Sequence, residues 1–223
     1  MRKEKKYIIE QDNINNIILL SKELGTLDKF SDNDASYKID SFYRLIWQAK
    51  DARGKIRIRK YISNGKETYF LENKYKEDGK SFKKRIEIDK SRYIELLQKK
   101  DIDSLISFIA EINPEILFFM KCYIGCQMKI EDINLSYKRK AFILKIDAKE
   151  YRITIDSNLS INYQNTKHPL LSEKECVLEI KGVKLRKIID LYRINEIASK
   201  SKLSKYRRAM IFINSKERLQ NEL

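Results

Sequence analysis

The chain has 223 residues, 42% of them hydrophobic, which is enough for a substantial buried core and excludes a disordered chain. Its 47 basic and 32 acidic residues give a net charge of +15, an excess that points to a polyanionic partner: nucleic acid, an anionic membrane surface or phosphate-rich small molecules. Three cysteines make no disulfide framework, and no uninterrupted apolar run approaches the ~20 residues of a membrane span.

Residues 2–9 read as a first strand. Met1-Arg2-Lys3-Glu4-Lys5-Lys6 runs straight into Tyr7-Ile8-Ile9 without an apolar core of leader length, so no secretory leader is expected and a reducing cytoplasm fits. Residues 12–24 read as a helix, with Ile14, Ile17 and Ile18 at helical spacing, Asp12 as its cap and Gly25 as its end. Residues 37–43 alternate as a strand. A turn at 51–54 leads into an Arg-rich strand over 55–62, and Asn64-Gly65 marks a hairpin whose return strand is 67–76. A second turn at Asp78-Gly79 leads into a basic strand over 83–88.

Residues 89–126 change character. Asp89, Asp103 and Asn113-Pro114 are helix-start signals, and apolar residues such as Leu105, Ile106 and Ile109 follow at helical spacing, so two or three structural helices are expected. Cys122 and Cys126 stand four apart in this stretch with no histidine beside them and read as buried small hydrophobes rather than metal ligands. Strands return at 134–145, 149–156 and 175–181. Gly182 precedes a helix at 184–192, and a basic helix follows at about 204–220. No linker or low-complexity tract divides the chain, so it reads as a single domain over 1–223 with a helical insertion at about 89–126.

The chemistry lies in the alternation. Lys55-Ile56-Arg57-Ile58-Arg59, Leu71-Glu72-Asn73-Lys74, Tyr151-Arg152-Ile153-Thr154-Ile155-Asp156 and Leu178-Glu179-Ile180-Lys181 all alternate with period 2, which gives each strand one aliphatic and one charged face. Arg57 and Arg59 present two guanidinium forks suited to phosphates. In the two Leu-Glu-x-Lys strands a carboxylate suited to a hard divalent cation and a lysine suited to a phosphate oxygen point the same way. Exposed cross-strand ion pairing accounts for any one such pair; four strands of the same chemistry favour a polyanion and metal site. The chain has no Gly-rich phosphate loop, and its one histidine, His168, argues against zinc and histidine acid–base chemistry. Few aromatic residues interleave with the basic strands, so sequence-specific nucleic acid is not the expected partner.

Taken in order, these segments resemble the polyphosphate polymerase domain of the vacuolar transporter chaperone (VTC) family, within the CYTH-like triphosphate tunnel metalloenzyme superfamily. The resemblance runs from residue 2 to about 210. It is carried by Arg2-x-Glu4-x-Lys6-Tyr7, Tyr37-Lys38-Ile39-Asp40-Ser41-Phe42-Tyr43, the Arg57-x-Arg59-x-Tyr61 strand and Phe70-Leu71-Glu72-Asn73-Lys74. Tyr137-x-Arg139-x-Ala141-Phe142, the 151–156 and 177–181 strands, and Leu203-Ser204-Lys205-Tyr206 complete it.

The resemblance implies an α+β fold, a closed antiparallel β-barrel with flanking helices, and ATP-dependent polyphosphate synthesis with Mn2+ or Mg2+. On that reading Lys6, Arg57, Arg59, Arg139, Arg152 and Lys205 serve catalysis. Lys74, Lys181, Ser204 and Tyr61 bind substrate, and Glu179, with Glu72 and Glu4, holds the metal. ATP and inorganic polyphosphate are the expected partners, with a separately encoded membrane protein beside them and a peripheral position at the inner face of the cell membrane. Triphosphate hydrolysis on the same fold, and polyphosphate binding without turnover, stay open as alternatives. One departure stands out: the family continues Ser-x-Tyr with Phe-Asp, whereas here Ser41-Phe42-Tyr43 is followed by Arg44-Leu45.

Overall fold

The computed structural model describes residues 3–32, 34–117, 126–201 and 204–221. The chain divides into two compact units, Met1–Ile39 with Leu135–Leu223, and Asp40–Asn134.

In the first unit the strands are β1 (Lys3–Glu10), β2 (Gly25–Leu27), the start of β3 (Ser36–Gln48), the end of β7 (Gln127–Ile146), β8 (Lys149–Tyr163), β9 (Thr166–Pro169), β10 (Glu175–Gly182) and β11 (Ala198–Ser201). Their order is β11-β1-β10-β8-β7, with β2 on β7 and β9 on β8. The resolved ladders β1–β10, β1–β11 and β8–β10 are antiparallel. Tyr7, Ile9, Ile153, Ile155, Leu178 and Ile180 form the aliphatic face. Against it pack Ile14 and Ile17 of α1 (Ile14–Leu24), Leu185, Ile188 and Ile189 of α4 (Leu185–Leu191), and Ile194 of the short α5 (Ile194–Ile197). The last helix, α6, spans Lys205–Asn221.

The second unit orders its strands β7-β3-β4-β5-β6, with β4 at Ala52–Ser63, β5 at Lys66–Glu77 and β6 at Lys80–Ile88. Ile56 and Ile58 of β4 and Leu71 and Tyr75 of β5 meet Tyr93 and Leu96 of α2 (Lys90–Gln98) and Leu105 and Ile109 of α3 (Ile102–Ile112). In both units, then, helices cover the aliphatic face that period-2 alternation creates, and the charged side chains occupy the other face.

The α+β class and the antiparallel sheet with flanking helices agree with the sequence. The closed barrel does not. Closure requires the terminal strands to bond to one another. Among the described residues β11 pairs only with β1 and β6 only with β5, so the sheet has two open edges. No helix among the described residues is long and apolar enough to cross a membrane.

Local chemistry fixes several element ends. Asp89 caps α2 by accepting from the Arg92 amide at 2.8 Å. Asp101, rather than Asp103, caps α3 by accepting from the Ser104 amide at 2.8 Å. Asn64-Gly65 and Asp78-Gly79 both adopt positive φ, the conformation a two-residue hairpin needs. Asp147-Ala148, at the break expected between 145 and 149, and Gln164-Asn165 do the same without a glycine; the second turn carried no glycine signal in the sequence, and β8 runs up to it, past the expected 149–156. Asp12 caps no helix; it lies in a 3-10 turn at Gln11–Asn13 ahead of α1. Gly25 ends α1 in extended backbone, not the left-handed form, and a Cβ there would lie 2.5 Å from the Ile143 carbonyl oxygen. Cys126, at the end of the expected helical stretch 89–126, lies in non-helical backbone, half-buried beside the start of β7; Cys122 lies outside the described residues.

Candidate functional site

The second unit gathers its charge around Glu72. This β5 side chain is fully buried, and four cations approach it. Arg57 Nε donates to Oε2 at 2.6 Å, and Arg59 Nε lies 3.7 Å from the same oxygen. Lys83 Nζ is 2.7 Å and Arg85 Nε 3.5 Å from Oε1. The strand register explains the gathering, because Arg57, Glu72 and Arg85 are direct neighbours across β4, β5 and β6. Burial by itself would raise the Glu72 pKa, but Arg57, Arg59 and Lys83 outweigh it and hold the carboxylate well below its ordinary value. One negative charge among four positive ones leaves the cluster cationic.

Its cations are held in place. Arg59 Nε donates to Ser41 Oγ at 3.1 Å and Nη1 to the Tyr61 hydroxyl at 3.3 Å. Arg57 Nη1 donates to the Tyr43 hydroxyl at 3.3 Å. The Arg85 guanidinium lies 3.4 Å from the centre of the Phe70 ring, in cation–π contact. Tyr61 is buried edge-on against Phe70. Lys74 shares the face of Glu72 two residues on and is exposed.

The first unit holds two linked clusters. Register sets Lys6 opposite Glu179 and Glu4 opposite Lys181 on β1 and β10. Lys6 Nζ lies 2.8 Å from Glu4 Oε1 and 3.7 Å from Glu179 Oε2. Lys181 Nζ lies 3.2 Å from Glu4 Oε2 and also pairs with Glu179. Burial opposes the ionised form of Glu179, yet Lys181, Lys6, Lys205 and Arg139 bring its pKa down to about 2.

The second cluster centres on Asp156 of β8, fully buried. Arg139 grips it from β7, with Nε donating to Oδ1 at 2.6 Å and Nη2 to Oδ2 at 2.7 Å. Lys205, the first residue of α6, places Nζ 2.6 Å from Oδ2 and 4.9 Å from the Tyr137 ring centre. Burial is again outweighed, here by Arg139 and Lys205, and Asp156 stays far below the usual carboxylate range. Ser204 caps α6: its Oγ accepts from the Arg207 amide at 3.4 Å and its carbonyl from the Arg208 amide at 2.9 Å.

Of the residues singled out from sequence, Lys6, Glu4, Glu179 and Lys181 thus stand together, and Arg139 and Lys205 meet on one carboxylate. Arg57, Arg59 and Glu72 form their own cluster. Arg152 sits opposite Lys181 in register but bonds Asp28, just past β2. Sequence reasoning missed Asp156, Lys83, Arg85 and Asp28. Alternation held part of the signal: Arg152, Thr154 and Asp156 share one face of β8, and Lys83 and Arg85 share one face of β6.

Arg44 takes no part in these clusters. It is buried, its Nη1 donating to Asp132 Oδ1 at 3.0 Å and to the Glu131 carbonyl at 3.4 Å, and its Nη2 to the Lys99 carbonyl after α2. The departure from the family motif therefore supplies a structural staple on the helix-packed side.

For a divalent cation the donor set favours Glu4 and Glu179, two carboxylates close enough to share both lysines. Two carboxylates completed by water and phosphate oxygens suit Mg2+ or Mn2+. No group of three or more His, Cys, Asp or Glu side chains positioned for a metal occurs among the described residues. Glu72, hemmed in by four cations, suits a metal less well.

Comparison of structures gives loose likenesses. The PH1819 protein of Pyrococcus horikoshii OT3 aligns over 94% of this chain and 98% of its own, at 15% identity and a TM-score of 0.46. The bh2851 protein of Bacillus halodurans aligns over 91% of this chain and 95% of its own, at 10% identity and a TM-score of 0.45. Likenesses of this looseness identify no function. Direct sequence comparison with curated proteins gives no match. The VTC domain model matches residues 1–214, nearly the whole length over which the charged strands and their buried carboxylates are laid out, and the chain therefore belongs to the VTC domain family.

Proposed function

We propose that this protein is a metal-dependent polyphosphate polymerase that uses ATP. The observation that carries the reading is that Glu72 and Asp156 are both fully buried and both outnumbered by the cations bonded to them. Buried cationic excess of this kind suits a highly charged anion held away from bulk water, and the family supplies polyphosphate as its class.

In the reaction, a terminal phosphate oxygen of the polyphosphate chain attacks the γ-phosphorus of ATP. A new P–O bond forms, the bond from the γ-phosphorus to the β–γ bridging oxygen breaks, and its electron pair leaves with ADP. Such a transfer needs little covalent help; positioning and charge stabilisation provide most of the rate. Arg57, Arg59, Lys6, Arg139, Arg152 and Lys205 supply that charge, and Lys74, Lys181, Tyr61 and Ser204 bind the phosphates. Asp156 and Glu72 act through their partners, fixing the arginine planes so that little reorganisation accompanies the transfer. Glu179 and Glu4 would hold Mn2+ or Mg2+, which when bound neutralises phosphate oxygens.

The test is incubation with γ-labelled ATP, Mn2+ and a short polyphosphate primer, with products resolved on a gel. A labelled ladder that disappears in Arg57→Ala and Glu179→Gln supports the polymerase. Released orthophosphate without a ladder replaces it with hydrolysis, and bound but unreacted nucleotide replaces it with a binding role.

A further inference from the structure

The register of β4, β5 and β6 continues the cationic surface past the Glu72 cluster. One row outward from Arg57, Glu72 and Arg85, three lysines stand directly opposite one another: Lys55 on β4, Lys74 on β5 and Lys83 on β6. One row further, Arg53 faces Lys76, which faces Ser81. Same-face residues on a strand are about 6.7 Å apart and neighbouring strands about 4.8 Å. Five cations therefore occupy two consecutive rows in which these three strands place no carboxylate. Glu131 of β7 acts electrostatically on Lys55 and is also paired with Lys129 at 3.3 Å; Lys83 leans back to Glu72.

Like charges directly opposite one another destabilise a sheet. Burial, chiefly, together with neighbouring cations, lowers the pKa of Lys55 to about 8. The arrangement therefore costs stability in the isolated protein, and a polyanion lying along it would offset that cost. A triphosphate group engaged by Arg57 and Arg59 does not account for Arg53, Lys55 and Lys76, which lie beyond it on the same face.

We propose that the outer half of β4, β5 and β6 is a second phosphate subsite, in which Arg53, Lys55 and Lys76 hold the part of a polyphosphate chain that runs past the triphosphate group. The subsite rests on the polyphosphate reading above and adds a preference for long chains to it.

Two probes test it, tripolyphosphate and long-chain polyphosphate, each titrated against the whole chain at several salt concentrations. The triple variant Arg53→Gln, Lys55→Gln, Lys76→Gln is expected to bind long-chain polyphosphate about tenfold more weakly, with a salt slope shallower by about two. Its tripolyphosphate affinity is expected to stay within about twofold, and the variant Arg53→Lys, Lys55→Arg, Lys76→Arg to retain long-chain binding. If the triple variant loses its fold, the exposed Lys76→Gln change alone gives the same comparison, with an expected loss of about twofold. Equal loss for both probes, or no loss for either, overturns the subsite. Wild-type protein that binds tripolyphosphate as tightly as the long chain also overturns the subsite and leaves the polymerase reading standing. Wild-type protein that binds neither probe overturns both.

Discussion

Arg139 and Asp156 are locked in a two-pronged pair, Nε to Oδ1 at 2.6 Å and Nη2 to Oδ2 at 2.7 Å, with both side chains buried. Lys205 shares Oδ2, so one carboxylate fixes cations from β7 and from the start of α6. Removing that charge should be expensive. Asp156→Asn is expected to lower unfolding stability by about 3–5 kcal/mol, the usual cost of stranding a buried charge. Urea unfolding measures it; a loss below about 1 kcal/mol would show that Asp156 is not the anchor of this cluster.

Glu72→Gln separates a counter-ion from a metal ligand. With the charge gone, Arg57, Arg59, Lys83 and Arg85 repel one another, and thermal stability should fall, again by about 3–5 kcal/mol. Tripolyphosphate should then raise the melting temperature of the variant more than that of the wild type, because the ligand supplies the missing negative charge. Equal shifts in the two proteins would argue against the counter-ion role.

Lys55 and Lys83 give a pH dependence with a definite sign. Burial first, then neighbouring cations, lowers both from 10.5 to about 8. Between pH 8 and 10.5 the unfolded chain therefore holds more protons at these sites than the folded one. Their contribution to stability rises with pH across that window, and their full penalty applies below pH 8. Polyanion binding runs the other way, since it needs the charged forms. Polyphosphate affinity is expected to fall from pH 7 to pH 9.5, and the change Lys55→Arg with Lys83→Arg to flatten the profile. An unaltered profile in that variant would reject the assignment.

Glu179 gives the acid limb. Despite its burial, Lys181 and Lys6 depress its pKa from 4.5 to about 2, so its stabilising contribution is complete above pH 4.5 and is lost as pH falls toward 2. Glu179→Gln should be less stable at pH 7 and show a shallower loss of stability over pH 4.5 to 2 in acid-unfolding titrations. A slope matching the wild type would show that other carboxylates govern that range.

Arg44→Met tests the motif departure. The buried guanidinium spans the Lys99 and Glu131 carbonyls and Asp132, so its loss is expected to cost about 2–4 kcal/mol. Tripolyphosphate affinity of the folded variant, followed by titration, should stay within about twofold. A large affinity loss at unchanged stability would place Arg44 in the binding site after all.

The sequence by itself determined the longer strands and helices, though not the short elements at 25–27, 166–169, 194–197 and 198–201, together with the Asn64-Gly65 and Asp78-Gly79 hairpins and the charged faces of β4, β5, β8 and β10, because period 2 and turn chemistry are local properties. It also singled out Arg57, Arg59, Glu72, Lys6, Glu179, Arg139 and Lys205. Whether those charges were solvated or buried was not local. Only the tertiary structure decided that Glu72 and Asp156 are fully enclosed, that Arg85 and Lys83 join the Glu72 cluster, and that Arg152 pairs with Asp28 across 124 residues. Each of these depends on which strand lies beside which and in what register, and pairing between segments so far apart in the chain leaves no trace in the spacing of residues within any one of them.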